Sequence, residues 1–158
     1  PERWRITGAC DGILIDGSVI EIKSCGPSAW KDIKKAYERL PDFKETYMSA
    51  GENTLNFAEL YAREHSTQVR IYTEILRLSG FPVNLNPIVL YYEKDKDNLL
   101  AFRIPHSSEP FKLAVEKINM VYDRVKMGKM PLRVCDSSFS NRASRCIFCT
   151  KCFTTPNV

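Results

Sequence analysis

The sequence predicts an α/β domain built on a mixed β-sheet, and three observations carry that prediction. Two runs of β-forming residues flank Asp16-Gly17, and a second pair flanks the turn-like segment KDKDN at residues 94–98. Between and after them lie stretches with apolar residues at helical spacing, each closed by Gly or Pro. The resulting order, ββααββα, suits a sheet covered by helices.

The length of 158 residues suits one core. A composition of 44% hydrophobic and 27% charged residues is that of an ordinary globular chain. No run of about 18 apolar residues offers a membrane span, and no signal-peptide pattern opens the chain, so the expected location is cytoplasmic. A net charge of +4 permits nucleic-acid binding without requiring it. The chain begins at Pro1 rather than at methionine, which leads to the expectation of a fragment with a segment upstream.

Asp-Gly between apolar runs predicts a hairpin over Arg3–Ile15 and Ser18–Lys23. After Gly26-Pro27, Ser28 is placed to cap a helix with Trp30, Ile33, Tyr37 and Leu40 on one side, ended by Pro41. Residues 41–56 read as loop. A long helix is expected from Phe57 or Tyr61 to Ser79, with Val69, Tyr72, Ile75 and Leu76 as its apolar stripe and Gly80 and Pro82 as its stop. Strands follow at Pro87–Glu93 and Leu99–Ile104. A last helix runs from Ser108 to about Met127, closed by Gly128 and Pro131.

Asp11, Glu21 and Lys23 stand out as D-x9-E-x-K in the first hairpin. Their neighbours are apolar on both strand faces, so both faces are expected to be covered. Charges buried there need partners, because an unpaired one costs several kcal/mol. A two-residue turn would pair Ile15 with Ser18 and send the carboxylates to opposite faces. A loop of Ile15, Asp16 and Gly17 pairs Leu14 with Ser18. It sets Asp11 opposite Glu21, puts Lys23 on their face and asks Gly17 for a left-handed conformation. That register, or a bulge with the same effect, is the expected one. Two carboxylates on one face suit Mg²⁺ or Mn²⁺, with the Ile22 carbonyl as a third oxygen ligand. Such an ion polarises a phosphate, and Lys23 can orient water or stabilise developing charge. A structural salt bridge across the strands is the plainer alternative.

"GACDGILIDGSVIEIKSCG" resembles the core of the PD-(D/E)XK nucleases, in the RecB-like branch that includes viral exonucleases. "HSTQVRIYTEIL" resembles that branch's Q-x3-Y motif, matched by Gln68 and Tyr72, and similarity covers most of the chain. The resemblance implies a restriction-endonuclease-like core. In it Asp11 and Glu21 are metal ligands, Lys23 is the catalytic lysine, and Gln68 and Tyr72 face the active site and the DNA. The family usually places a helix and a strand before the Asp-bearing strand, supplying a His or Glu. The front of this chain is too short for both, so that piece is expected upstream of Pro1 or replaced by Glu2. His65 reads as a surface histidine. Arg70, Arg77, Lys31, Lys34 and Lys35 are placed to hold a phosphate backbone.

Cys135, Cys146, Cys149 and Cys152 form C-x10-C-x2-C-x2-C, a complete set for Zn²⁺ or a [4Fe–4S] cluster. The successive x2 spacings favour iron–sulfur over zinc, with free thiols as the remaining alternative, and the branch includes iron–sulfur nucleases, which usually carry one cysteine before the core. The expected division is a nuclease core at 1–134 and a Cys-rich metal-binding tail at 135–158, with Cys10 and Cys25 as small buried residues. The function so implied is a Mg²⁺- or Mn²⁺-dependent deoxyribonuclease, an exonuclease of recombination, repair or viral DNA processing. DNA is its substrate, a helicase or recombination protein its possible partner. The alternatives are a non-catalytic nucleic-acid-binding module with a structural four-cysteine metal site and a redox protein using the tail.

Overall fold

The structure, a computed structural model, describes residues 6–38, 63–130 and 133–154. The chain divides into two compact units, Pro1–Leu113 and Ala114–Val158. The first contains four strands, β1 (Gly12–Ile13), β2 (Ser18–Cys25), β3 (Asn84–Glu93) and β4 (Asn98–Arg103), in one sheet of order β1-β2-β3-β4. The outer pairs are antiparallel and the central pair, β2 with β3, is parallel, so the sheet is mixed. A parallel pair needs a long crossover, and the helices α1 (Pro27–Glu38) and α2 (Arg63–Leu78) lie within it.

One sheet face makes the core. Val19 of β2, Val89 and Tyr91 of β3 and Phe102 of β4 pack with Trp30 of α1, Val69 of α2 and Ile104. Each fully buried aliphatic such as Val69 or Val89 contributes about 1.5–3 kcal/mol. The opposite face is more open, with Ile22 46% and Leu99 59% exposed. This corrects the expectation that both hairpin faces are covered. The β-strand period of two sends Glu21 inward and Ile22 outward.

The hairpin takes the register that aligns its charges. Gly12 pairs with Ile20 and Ile13 with Val19. The Leu14 amide donates to the Ser18 carbonyl at 2.9 Å, closing a loop of Ile15, Asp16 and Gly17. Gly17 has φ +79°, the left-handed value that such a loop demands. A Cβ there would also meet the Pro82 carbonyl at 2.9 Å. Asp16 folds back on the loop, accepting the Ser18 amide at 2.9 Å and hydroxyl at 2.8 Å. Those bonds, with Arg103 nearby, hold its carboxyl below the usual range.

Boundaries shift for local reasons. Helix α1 begins at Pro27, with the Trp30 amide bonded to the Gly26 carbonyl at 2.9 Å. Proline needs no amide partner in a first turn, so Ser28 lies inside the helix rather than capping it. Helix α2 ends in a Schellman arrangement: Gly80 at φ +86°, its amide on the Arg77 carbonyl, and the Phe81 amide on the Leu76 carbonyl. Strand β3 starts at Asn84, earlier than expected, and Pro87 is inside it. Its missing N–H is tolerated because the β2–β3 register slips between Ser18 and Ile20, opposite that stretch. The turn after β3 uses Asp97 at φ +56°. The expected starts of α2 at 57–61, its predecessor's end at Leu40-Pro41, and Pro131 lie outside the described residues.

Helix α3 (Glu109–Lys126) passes from the first unit into the second and ends at Gly128, φ +69°. Beyond it the tail forms two short helices that were not expected, α4 (Asn141–Ser144) and α5 (Cys149–Thr154). Ser140 caps α4 by accepting the Ala143 amide. Among the described residues of this unit Ala143 is the buried hydrophobic one, whereas Phe139 and Ile147 are 92% and 90% exposed. No described helix is long and apolar enough to cross a membrane.

Candidate active site

Alternation along β2 places Val19, Glu21 and Lys23 on the face covered by α2. Glu21 is 3% exposed, and Lys23 reaches back to it, with Nζ 2.5 Å from Oε1. The same Nζ donates to Oε1 of Gln68 at 3.0 Å, and Nε2 of Gln68 donates to the Tyr72 hydroxyl at 3.0 Å. Gln68 and Tyr72 are one turn apart on α2, so they share its face. A single hydrogen-bonded chain thus runs Glu21–Lys23–Gln68–Tyr72 from strand to helix. The two ends of that chain are 51 positions apart in the sequence, from Glu21 to Tyr72.

Glu21 Oε2 is buried and has no hydrogen-bond partner among the described residues. An orphaned carboxylate oxygen in a wall of the core is costly and is a ready ligand for a cation. Asp11 lies exposed beside β2, its Oδ2 accepting the Ile22 amide at 2.6 Å. Continuing the β1–β2 register sets Asp11 opposite Glu21. In a strand the N–H and C=O of one residue point the same way, so the Ile22 carbonyl faces the side where Asp11 sits. Among the described residues no three His, Cys, Asp or Glu side chains form a group able to hold an ion. Mg²⁺, however, commonly uses one or two carboxylates with waters and phosphate oxygens. Glu21, Asp11 and the Ile22 carbonyl are oxygen donors of the kind that such a set uses.

His65 corrects the sequence reading. It is half-buried rather than on the surface, and Nδ1 lies 2.8 Å from the Tyr91 hydroxyl. Tyr91 is the register partner of Lys23 on β3. Burial first, then the Lys23 charge, lowers the His65 pKa, with Glu64 and Glu21 opposing. Burial also pushes the Tyr91 phenol above its usual range. The helical spacing from His65 to Gln68 and Tyr72 was the available signal for it. Gly8 was also missed: a Cβ there would come within 2.5 Å of the Tyr72 ring. Nothing in its sequence neighbourhood marks that close approach.

The basic residues divide. Arg70 is 7% exposed and donates Nε to the Pro105 carbonyl at 3.1 Å, so it is a structural residue and not a phosphate contact. Arg77 is bound to the buried Glu74 at 2.8 Å, and His106 Nε2 lies 2.7 Å from the same carboxylate. Burial alone would raise the Glu74 carboxyl, but the bonds from Arg77 and His106 hold it below its ordinary value. Lys31, Lys34 and Lys35 are exposed on α1, Lys34 being 3.8 Å from Glu38. Glu2 lies outside the described residues.

The tail cysteines are within the second unit. Cys135, Cys149 and Cys152 are half-buried and Cys146 is exposed. The Cys149 thiol donates to the Ser138 carbonyl at 3.6 Å. As arranged, the four thiols do not form a ligand set. Cys10 and Cys25 pack against the edge of the core, partly rather than fully buried, and burial with Glu93 nearby raises the Cys25 thiol. Comparison with known protein families, curated proteins and solved structures gives no match for this chain.

Proposed function

We propose that this chain is a metal-dependent nuclease of the PD-(D/E)XK type, an exonuclease that hydrolyses DNA phosphodiester bonds. The observation that carries this reading is the Glu21–Lys23–Gln68–Tyr72 chain ending on an orphaned buried carboxylate oxygen. It joins the residues of two separate motifs by direct hydrogen bonds. A Mg²⁺ or Mn²⁺ ion held by Asp11, Glu21 and the Ile22 carbonyl would supply Lewis acidity toward the phosphate and a more acidic water. Lys23 has three N–H donors, of which two go to Glu21 and Gln68. The third can be given to a phosphate oxygen as its charge grows. Gln68 fixes the ammonium position, and Tyr72 fixes Gln68.

The test is cleavage of linear and circular DNA with Mg²⁺ or Mn²⁺ by the wild type, Glu21→Gln and Lys23→Met. Cleavage of linear DNA alone supports an exonuclease. Loss of about 10²–10⁴-fold in either variant is expected. DNA binding without cleavage by the wild type would instead support the non-catalytic module.

The proposal extends to the tail. A unit with so little apolar core among its described residues needs other means of support, and a metal centre is one that small units use. We assign that role to Cys135, Cys146, Cys149 and Cys152, which would draw together on a [4Fe–4S] cluster or Zn²⁺. Anaerobic purification followed by iron, zinc and visible-absorbance measurement decides between the two, and finding neither metal rejects both.

A further inference from the structure

Beside the end of the hydrogen-bonded chain is a cavity of about 240 Å³, lined by Gly8, Ala9, Cys10, Tyr72, Ile75 and Leu76. From its position and chemistry, and resting on the nuclease reading above, we infer that it receives one unpaired nucleobase of the strand being cut.

Three observations lead there. The segment Gly8–Cys10 that lines one side runs directly into Asp11. The other side is the α2 face that carries Gln68, and Tyr72 belongs to both places: its hydroxyl holds Gln68 while its ring lines the cavity. A ligand anchored by its phosphate at Lys23 therefore has its next flat group beside this cavity. Second, the walls are an aromatic ring, two aliphatic side chains, an alanine and a thiol. They offer stacking and apolar contact without a set of donors and acceptors to read a base edge. Stacking of that kind accepts any base. Third, 240 Å³ lies under the roughly 300–1,000 Å³ usual for a drug-sized ligand. One ring system fits, and a base pair does not.

Gly8 is what leaves the ring there. A side chain at this position would overlap Tyr72 Cε1, at 2.5 Å from the added Cβ, and displace the ring from the cavity. The substrate class that follows is single-stranded DNA or a frayed end, in preference to an intact blunt duplex.

The test uses the wild-type chain in EDTA, so that binding is read without cleavage. The probe is a single-stranded oligonucleotide containing 2-aminopurine, and the control is a blunt duplex of equal length. Binding should quench the 2-aminopurine emission. Ala9→Leu, at an exposed position, fills the cavity and replaces none of the hydrogen-bonded residues. It should weaken single-strand binding about tenfold or more, the loss of one base stack, and abolish the quench. Duplex affinity should be unchanged. Tyr72→Phe keeps the ring and should keep the quench. No binding of the single strand, no quench, or equal loss for both DNAs in Ala9→Leu overturns the inference. A chain that cleaves with Mn²⁺ but shows no quench loses only the cavity assignment. A chain that quenches without cleaving loses only the nuclease reading.

Discussion

Removing the Lys23 ammonium leaves Glu21, 3% exposed, without its counter-charge. Breaking one side of a buried ion pair costs about 3–5 kcal/mol, toward the lower end here because Lys23 is a quarter exposed. Lys23→Met should therefore lower Tm markedly, and millimolar Mn²⁺ should restore part of the loss by binding the folded state. Thermal unfolding with and without Mn²⁺ checks this; an unchanged Tm would mean that Glu21 does not depend on Lys23. His65 gives a pH signature. Its pKa is lowered in the fold, while the unfolded chain titrates near about 6.5. Below that pH the unfolded state binds more protons, so stability should fall as the solution is acidified. His65→Gln should flatten that part of the stability curve measured in urea, and an unchanged slope would show that His65 does not cause it. Asp11, Glu21 and Lys23 could be named from sequence because charges among Ile and Val need an explanation. His65 stood at helical spacing from Gln68 and Tyr72, but its burial depends on Tyr91, which arrives from a distant strand.

At the scale of elements, two glycines with similar backbones should respond differently to alanine. Gly80, φ +86°, has no neighbour within 4 Å of an added Cβ among the described residues, so Gly80→Ala should cost only the left-handed strain, about 1–2 kcal/mol. Gly17, φ +79°, adds a clash with the Pro82 carbonyl at 2.9 Å, so Gly17→Ala should lose clearly more. Equal losses in chemical denaturation would show that the contact relaxes freely. The Gly17 conformation was legible because only one loop length puts Asp11 and Glu21 on the same face. The glycine-closed ends of α2 and α3 were legible for a related reason, since Gly80 and Gly128 close apolar helical stripes. The start of α1 was misread because Ser28 and Pro27 are both good residues for a first turn, and only the bond from Trp30 to Gly26 decides between them. The open face of β2 was misread because apolar residues on both sides of a strand do not say what covers each side.

For the whole molecule, the mixed sheet was expected from the order of elements, because a helical crossover allows β2 and β3 to pair in parallel whereas the tight turns pair their strands antiparallel. The tail was legible only as chemistry. Four cysteines imply a shared task, but spacing does not fix where short helices form. If a metal centre organises the second unit, Cys149→Ser should leave the first unit folded and make residues after about 126 sensitive to protease. Limited proteolysis with mass spectrometry reads this. Equal resistance in Cys149→Ser and wild type would show that the thiols do not hold the tail.

The parallel pairing of β2 with β3 also governs how the molecule comes into being. Lys23 meets Tyr91, and His65 reaches its place, only when strands separated by both helices close on one another. Non-local closure of this kind is slow compared with helix formation. If the chain is the nuclease proposed above, its activity should therefore return in the slowest refolding phase, after most helical signal has recovered. On that reading, a nascent chain that has made both helices would stay inactive toward nucleic acid until the sheet closes.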